Sequence, residues 1–402
     1  MKLTSTLIAA ASALALTAPA YAKTIAVAAG DGAQTRLQEA LILAQPGDVV
    51  ALGAGRFVLS DGLSLDADGV TVRGAGMQAT VLDFSGQQGA GEGLLVTSDR
   101  VTLRDFAVEN THGDGIKSKG ADNIVYYRVR VSWTGGPKET NGAYGIYPVE
   151  SSGVLVDGCE VSGASDAGIY VGQSKGITVR YNYVENNVAG IEIENSRNAL
   201  VTGNLVTRNT GGILVFDLPN LPVMGGGNTV IERNMVVNND TPNFGPKGNI
   251  VAGVPRGTGV MVMANDGVWV RDNTLTNNPT AQVLVVAYPQ PFTDKSYNPL
   301  ARNIVIDGNR ASGGGDDPAL PGGDQLTGAF GGALPPIVWD GVGQQPAVMQ
   351  RATILSLGAA GPSVGMAEAK PHLIKSLPPV KARPKPPIGY GAPAGLDARA
   401  RP

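Results

Sequence analysis

The chain has 402 residues, a formal net charge of −3 and only 16% charged residues, so it lacks the cationic excess that binding to a nucleic-acid backbone requires. Its single cysteine, Cys159, excludes an intrachain disulfide, and stability must therefore come from a large hydrophobic core. The 56 glycines and the low aromatic content of 5% indicate a β-rich protein with many tight turns.

The first 22 residues have the features of a secretory signal peptide. Lys2 precedes an apolar run over residues 6–17, and Ala20-Tyr21-Ala22 has the small-x-small form of a cleavage site. No later apolar run is long enough to predict a membrane-spanning helix. The sequence therefore predicts cleavage after Ala22 and a periplasmic or secreted protein.

Residues 31–48 predict an amphipathic helix that ends at Pro46-Gly47. Its apolar side chains recur at helical spacing on one face, at Leu37, Ala40, Leu41 and Ala44. We expect this helix to cap the first coil of the repeat that follows, because an open end of a β-stack leaves backbone groups without partners.

From residue 101 the chain repeats with a basic period of 22 to 23 residues. A Gly-Ile pair begins at 115, 145, 168, 190 and 212, with Gly-Val at 259, and a short alternating strand precedes each pair. The longer steps fit either one repeat with an insertion or two repeats. Short strand coils bury a core only when stacked, which predicts an all-β, right-handed parallel β-helix over residues 23–345.

The sixth position of the first strand changes along the repeats from apolar residues to asparagine. The column contains Phe106, Val129, Cys159, Asn182, Asn204, Asn234, Asn273 and Asn309. Inward asparagines can pair amide to amide between coils, which predicts a ladder that fixes the register. Cys159 stands in this column, so we predict a buried, unreactive thiol.

Strand alternation turns the isoleucine of each pair inward and the residues one and three positions later outward. The outward set comprises Lys117, Lys119, Tyr147, Val149, Tyr170, Gly172, Glu192, Glu194, Leu214, Phe216, Met261 and Met263. This face is cationic, then aromatic, acidic and finally apolar. Insertions at 134–141, 218–227 and 240–256 flank it, and they either wall a binding groove or fold over the apolar residues.

Residues 346–402 are rich in proline and predict a disordered tail. A role of this tail as a tether to a cell wall or a partner is an open alternative.

The chain resembles a family of exported bacterial parallel β-helix repeat proteins in the pectate-lyase-like superfamily. The motifs that carry this resemblance include TGGPKETNGAYGIYPV, SGASDAGIYVGQS, NNVAGIEIENS and TGGILVFDLPNLPV, and it extends from about residue 30 to 310. The family has no established biochemical role, so the resemblance implies the fold and assigns no catalytic residue. Its members often occur beside a second exported protein, which is one candidate partner.

Because enzymes of this superfamily often act on acidic polysaccharides, we expect an acidic polysaccharide or oligosaccharide on the Gly-Ile face. A uronate lyase or epimerase needs a cation to neutralise the sugar carboxylate and a base to remove the adjacent proton. The catalytic candidates are Lys117, Lys119, Tyr147, Tyr170, His112 and Asp114, and the substrate-binding candidates are Glu192, Glu194 and Phe216. Glu192 and Glu194, with Asp166 or Asp217 nearby in the stack, could hold calcium through oxygen ligands.

The sequence disfavours two other functions, a polygalacturonase-type hydrolase and a copper or zinc protein. NTHGDGI at 110–116 resembles a stretch of polygalacturonase-type hydrolases, but the next coil, NGAYGIYPV, lacks the aspartate pair that those enzymes need. The two histidines, His112 and His372, are too far apart in sequence to predict a copper or zinc site.

The alternative function is a non-catalytic scaffold whose graded face docks a partner protein.

Overall fold

The computed structural model describes residues 22–89, 91–362, 368–376 and 395–400. The predicted signal peptide, apart from Ala22, lies outside these residues. Within the described residues, no helix has the length and apolar character needed to cross a bilayer.

Almost all regular structure is β, in two large sheets whose strands are numbered in chain order. The first sheet contains β1 (Thr24–Val27), β2 (Val49–Leu52), β3 (Gly55–Val58), β5 (Thr71–Arg73), β6 (Thr80–Asp83), β8 (Thr102–Glu109), β10 (Ile124–Ser132), β12 (Ser152–Asp157), β13 (Glu160–Ser162), β15 (Lys175–Arg180), β16 (Tyr183–Glu185), β18 (Arg197–Thr202), β19 (Leu205–Thr207), β21 (Gly227–Glu232), β22 (Met235–Val237), β24 (Asp266–Arg271), β25 (Thr274–Thr276), β27 (Val305–Asp307), β28 (Arg310–Ser312) and β30 (Ala347–Val348). The second sheet contains β4 (Leu63–Leu65), β7 (Leu94–Val96), β9 (Ile116–Lys119), β11 (Ile146–Val149), β14 (Ala167–Gly172), β17 (Ala189–Glu194), β20 (Gly211–Phe216), β23 (Thr258–Met263), β26 (Ala281–Val286), β29 (Ile337–Trp339), β31 (Ala352–Ser356) and β32 (His372–Ser376). The helices are α1 (Ala33–Leu43), α2 (Gly323–Ala329), α3 (Leu396–Ala400) and a 3-10 helix at Ile250–Gly253.

One coil of the stack consists of two strands of the first sheet and one strand of the second. In the coil formed by β15, β16 and β17, the corners are made by Tyr181 and Asn186, both with a left-handed backbone. Each strand pairs in parallel with its equivalent in the next coil, as in the pairing of Ile177 with Ala199. This register confirms the predicted parallel β-helix.

The register also decides how the longer repeat steps arise. Ile213 in β20 pairs directly with Val260 in β23, so the 47-residue step is one coil carrying insertions. In the same way Ile116 pairs with Ile146. The predicted inward isoleucine column is fully buried throughout.

The predicted asparagine ladder runs through the core. Successive amides donate from Nδ2 to the Oδ1 of the next coil over 2.9 Å, 2.9 Å, 3.0 Å and 2.9 Å, from Asn182 through Asn204, Asn234 and Asn273 to Asn309. Cys159 lies in the same column as a buried thiol whose pKa is raised to about 12 by burial, as predicted. A second ladder, not predicted, joins Asn187, Asn209, Asn239 and Asn278 at the next corner over 3.0 Å, 3.1 Å and 3.0 Å.

The N-terminal end of the core is covered by α1. Leu37 and Leu41 are almost fully buried, and the helix contacts β1, β3 and β4. Ala40 and Ala44 are buried on the same side, which confirms the predicted apolar face.

The predicted boundary at residue 345 is wrong. β30 pairs with β27 and β31 pairs with β29, both in parallel, so the stack continues to Ser356. β32 then adds to β31 in antiparallel orientation. α3 packs on Val125 and Leu155 of the first sheet through Leu396 and Ala400. Ordered segments therefore replace part of the predicted disordered tail, whose residues 363–367, 377–394 and 401–402 lie outside the described ones.

Candidate functional site

The predicted outward columns of the second sheet are present in the structure. Lys117 pairs with Tyr147, Tyr170 with Glu192, and Glu192 with Leu214 of the next coil. A parallel column carries Gly172, Glu194 and Phe216 in consecutive coils. The graded order of side chains read from the sequence is therefore present on the outward side of the second sheet.

The apolar end of this face is covered by the chain itself. Leu214, Phe216, Met261 and Met263 are buried in one cluster together with Val251 and Val254, which belong to the insertion at 240–256. The insertion therefore folds over these apolar side chains, which is one of the two outcomes expected from the sequence.

Where the insertion approaches the acidic coil, it leaves a cavity of about 360 Å³. Asp166, Glu192 and Glu194 line this cavity together with Tyr144, while Leu214 and Phe216 form an apolar part of its lining and Asn249–Val251 contribute from the insertion. Glu192 is 3% exposed and Glu194 is 6% exposed. We call Asp166, Glu192 and Glu194 the carboxyl cluster.

Three tyrosines pack on one another beside the carboxyl cluster. The ring centroids of Tyr144, Tyr147 and Tyr170 are 4.5 Å, 4.6 Å and 4.8 Å apart pairwise. Tyr170 lies over Gly172, where an added Cβ would come within 2.3 Å of the tyrosine Oη. Because Gly172 pairs with Glu194, this glycine lets the Tyr170 hydroxyl reach the Glu194 carboxyl group.

The carboxyl cluster is poised to exchange protons near neutral pH. Burial, with the nearby charge of Glu194 second, raises the pKa of Asp166 to about 7. Burial raises the pKa of Glu194 to about 7, against a hydrogen bond from Tyr170. The pKa of Glu192 is well above its ordinary value because of burial and then the charges of Asp166 and Glu194. Neighbouring buried carboxyl groups cannot all ionise together, so protons remain in the cluster.

Comparison with known proteins agrees with this architecture. Residues 68–221 match a family model described as "Right handed beta helix region". The A-module of the mannuronan C-5 epimerase AlgE4 of Azotobacter vinelandii is similar, with a TM-score of 0.50 and 16% identity over 79% of this chain and 91% of that one. The protein is a right-handed parallel β-helix protein.

Two further solved structures are similar to this β-helix protein. The A-module of the epimerase AlgE6 of Azotobacter vinelandii has a TM-score of 0.48 and 17% identity over 79% of this chain and 91% of that one. A polygalacturonase from Erwinia carotovora has a TM-score of 0.46 and 14% identity over 81% and 87% of the two chains. No curated protein matches the sequence. At 16% identity the similarity to the AlgE4 A-module supports the fold and assigns no activity.

The cationic end of the face in this β-helix protein forms an ion-pair group outside the carboxyl-cluster cavity. Lys117 Nζ lies 2.9 Å from Glu92 Oε1 and 3.8 Å from Asp114 Oδ2. The same ammonium group lies 5.0 Å from the ring centroid of Tyr147. Burial raises the pKa of Asp114 to about 6, and the charge of Lys117 opposes that rise. Lys117 thus has carboxylate partners of its own.

The remaining predicted catalytic residues are dispersed. Lys119 is exposed, with Nζ 3.8 Å from Glu150 Oε1. The exposed ring of His112 places Nδ1 3.0 Å from the carbonyl oxygen of Gly89. The structure therefore separates both residues from the cavity, and of the predicted set it brings Glu192, Glu194 and Phe216 together there.

The described residues do not fit the predicted calcium site. Both carboxylate oxygens of Asp217 accept hydrogen bonds from the Gly226 N–H, over 2.9 Å and 2.8 Å, and Oδ1 also accepts one from Asn265 Nδ2. These bonds hold the insertion at 218–227. Among the described residues, no group of three or more acidic, histidine or cysteine side chains is arranged to hold a metal ion.

Tyr144 was missed as a site residue, and Asp166 was considered only as a calcium ligand beside Glu192 and Glu194. Tyr144 precedes Gly145-Ile146 and occupies the position that Asp114 holds one coil earlier. That shared position was the available signal for Tyr144. Asp166 comes directly before β14, one coil before Glu192, and the structure places it in the same cavity as Glu192 and Glu194.

Proposed function

We propose that the protein is a carbohydrate-active enzyme that cleaves a glycosidic bond with the carboxyl cluster. The observation that carries this proposal is the convergence of Asp166, Glu192 and Glu194, with raised pKa values, in one cavity beside a tyrosine. Glycoside hydrolysis uses such a pair of carboxyl groups. The signal peptide predicted at residues 1–22 would deliver the enzyme to the compartment where extracellular polysaccharides occur.

The environments of the carboxyl groups suggest a division of roles. Glu192, the most buried, is the proton donor to the leaving glycosidic oxygen, because burial favours its neutral form. Glu194, hydrogen-bonded by Tyr170, takes the proton of the attacking water as the C–O bond breaks. Their positions two residues apart on β17 place their Cα atoms about 6.6 Å apart along the strand. Asp166 modulates the ionisation of Glu192 through its charge.

The charge of the cavity favours an uncharged saccharide over the uronate expected from the sequence. No cationic side chain is among the described residues that line it, and Lys117 is about 14 Å from Glu192 by coil spacing. An ionised carboxylate on the sugar would be repelled by the cluster. Tyr144, Leu214 and Phe216 supply surfaces for the apolar faces of a sugar ring.

The test is a screen of the mature protein against neutral and acidic polysaccharides, reading both new reducing ends and the absorbance of unsaturated ends. We expect reducing ends from a neutral glycan, and a fall in kcat/KM of about 10²- to 10⁴-fold in Glu192→Gln. Glu150→Gln, which changes an exposed glutamate beside the same sheet, is the matched control. Unsaturated ends from an acidic polysaccharide would replace this proposal with a lyase, and no turnover on any substrate would refute it.

A further inference from the structure

A second cavity, of about 510 Å³, adjoins the one that holds the carboxyl cluster. Ile250, Val254, Met261 and Met263 line both cavities. The second cavity extends over the outward face of β26 and β31, where Leu284, Tyr288 and Leu357 line it. We call this space the apolar groove.

The lining of the groove differs from that of its neighbour. Its walls come mainly from aliphatic, methionine, proline and tyrosine side chains, with Asp340 the one carboxyl group among the described lining residues. Asp340 is engaged by the backbone N–H groups of Ala287 and Val342, at 2.6 Å and 2.9 Å. An open concave apolar surface of this kind is the form that ligand pockets take in proteins.

We infer that the apolar groove binds the alkyl chain of an amphiphilic glycoside while the sugar occupies the carboxyl-cluster cavity. The two cavities lie side by side, because Ile250, Val254, Met261 and Met263 line both of them, so a molecule that occupies both must pass over these side chains. Flexible methionine and leucine side chains suit an aliphatic chain, which has no fixed shape. This inference rests on the proposed function and names its substrate class.

The first test measures binding of alkyl β-glucosides of increasing chain length by calorimetry, below the concentration at which they form micelles. Each methylene that enters the groove should tighten binding by about fourfold, since burial of one CH₂ is worth about 0.8 kcal/mol. Equal affinity for methyl, hexyl and octyl glucoside would overturn the inference.

The second test fills the groove with Gly253→Trp. Gly253 lines the groove and not the carboxyl-cluster cavity, and an added Cβ there meets nothing within 4 Å. Gly91→Trp is the matched control, because Gly91 is also exposed and also has open space around an added Cβ. We expect Gly253→Trp to abolish the chain-length dependence and Gly91→Trp to keep it.

The outcomes separate this inference from the proposed function. Unchanged octyl glucoside affinity in a folded Gly253→Trp protein would overturn the groove assignment, whatever the enzyme cleaves. Chain-dependent binding without cleavage of any glycoside would support the groove and refute the hydrolase. If the Gly253→Trp protein failed to fold, the chain-length series of alkyl glucosides on the unaltered protein would still test the groove, because that series needs no variant.

Discussion

Glu194 lies between Gly172 of the preceding coil and Phe216 of the following one, and it is 6% exposed. Burial raises its pKa from an ordinary value of 4.5 to about 7. The folded protein thus binds this proton more tightly than the unfolded chain does. The contribution of Glu194 to stability is fully present below about pH 4.5 and is lost as the pH rises through about 7.

Glu194→Gln should therefore stabilise the protein at alkaline pH and have little effect in acid. The expected gain is on the order of 3 kcal/mol, since a shift of one pKa unit is worth about 1.4 kcal/mol. Urea unfolding measured at about pH 4 and about pH 9 compares the two conditions. Exposed Glu150→Gln should show no such difference, and an equal effect of Glu194→Gln at both pH values would contradict the assigned burial cost.

For individual residues, the sequence predicted which way a side chain faces better than it predicted which other side chains contact it. Alternation along the strand placed Glu192, Glu194 and Phe216 on the outward face, where the structure finds them. It could not show that the insertion at 240–256 closes over that face, because a loop outside the repeat has no periodicity to read. Alternation likewise made Lys117 a catalytic candidate without showing that Glu92 Oε1 lies 2.9 Å from its Nζ.

The asparagine ladders provide hydrogen-bond partners for buried polar groups at the corners of the strand stack. Asn234 accepts hydrogen bonds at Oδ1 from both the backbone N–H and Nδ2 of Asn204, each over 2.9 Å. Its own Nδ2 donates to the carbonyl oxygen of Val201 over 2.9 Å. The first ladder was predictable because its column holds asparagine in five consecutive coils. The second was missed because its members follow the aligned strand segments, in the turn before the Gly-Ile strand.

Asn234→Ala should destabilise the protein by about 3 kcal/mol or more, because two buried donors of Asn204 and the Val201 carbonyl lose their partner. The free energy of unfolding in urea gives the measurement. Asn298→Ala, at an exposed asparagine whose Oδ1 accepts one bond from the Leu300 N–H, is the control. A loss in Asn234→Ala no larger than in that control would mean that the ladder is not a source of stability.

The whole molecule is a stack of coils with two ends, and a different element of the chain lies at each end. At the first coil α1 covers the core, which helical periodicity predicted correctly. At the last coil β32 pairs with β31 in antiparallel orientation. The sequence did not reveal this strand, because HLIKS lies in a proline-rich context and antiparallel pairing breaks the repeat. The repeat therefore predicted the structure of the stack more accurately than amino-acid composition predicted the structure of the C-terminal segment.

Exposed strand edges and core ends promote association between molecules, so the integrity of the α1 cap should control the oligomeric state. Leu41 is 1% exposed while the adjacent Ile42 is 66% exposed, which offers two neighbouring positions with opposite environments. Leu41→Asp should lift α1 from β1 and β4 and produce larger species in sedimentation velocity, whereas Ile42→Asp should sediment as the unaltered protein does. If Leu41→Asp kept the original sedimentation profile while hydrogen exchange showed α1 detached, capping would not be what prevents end-to-end association.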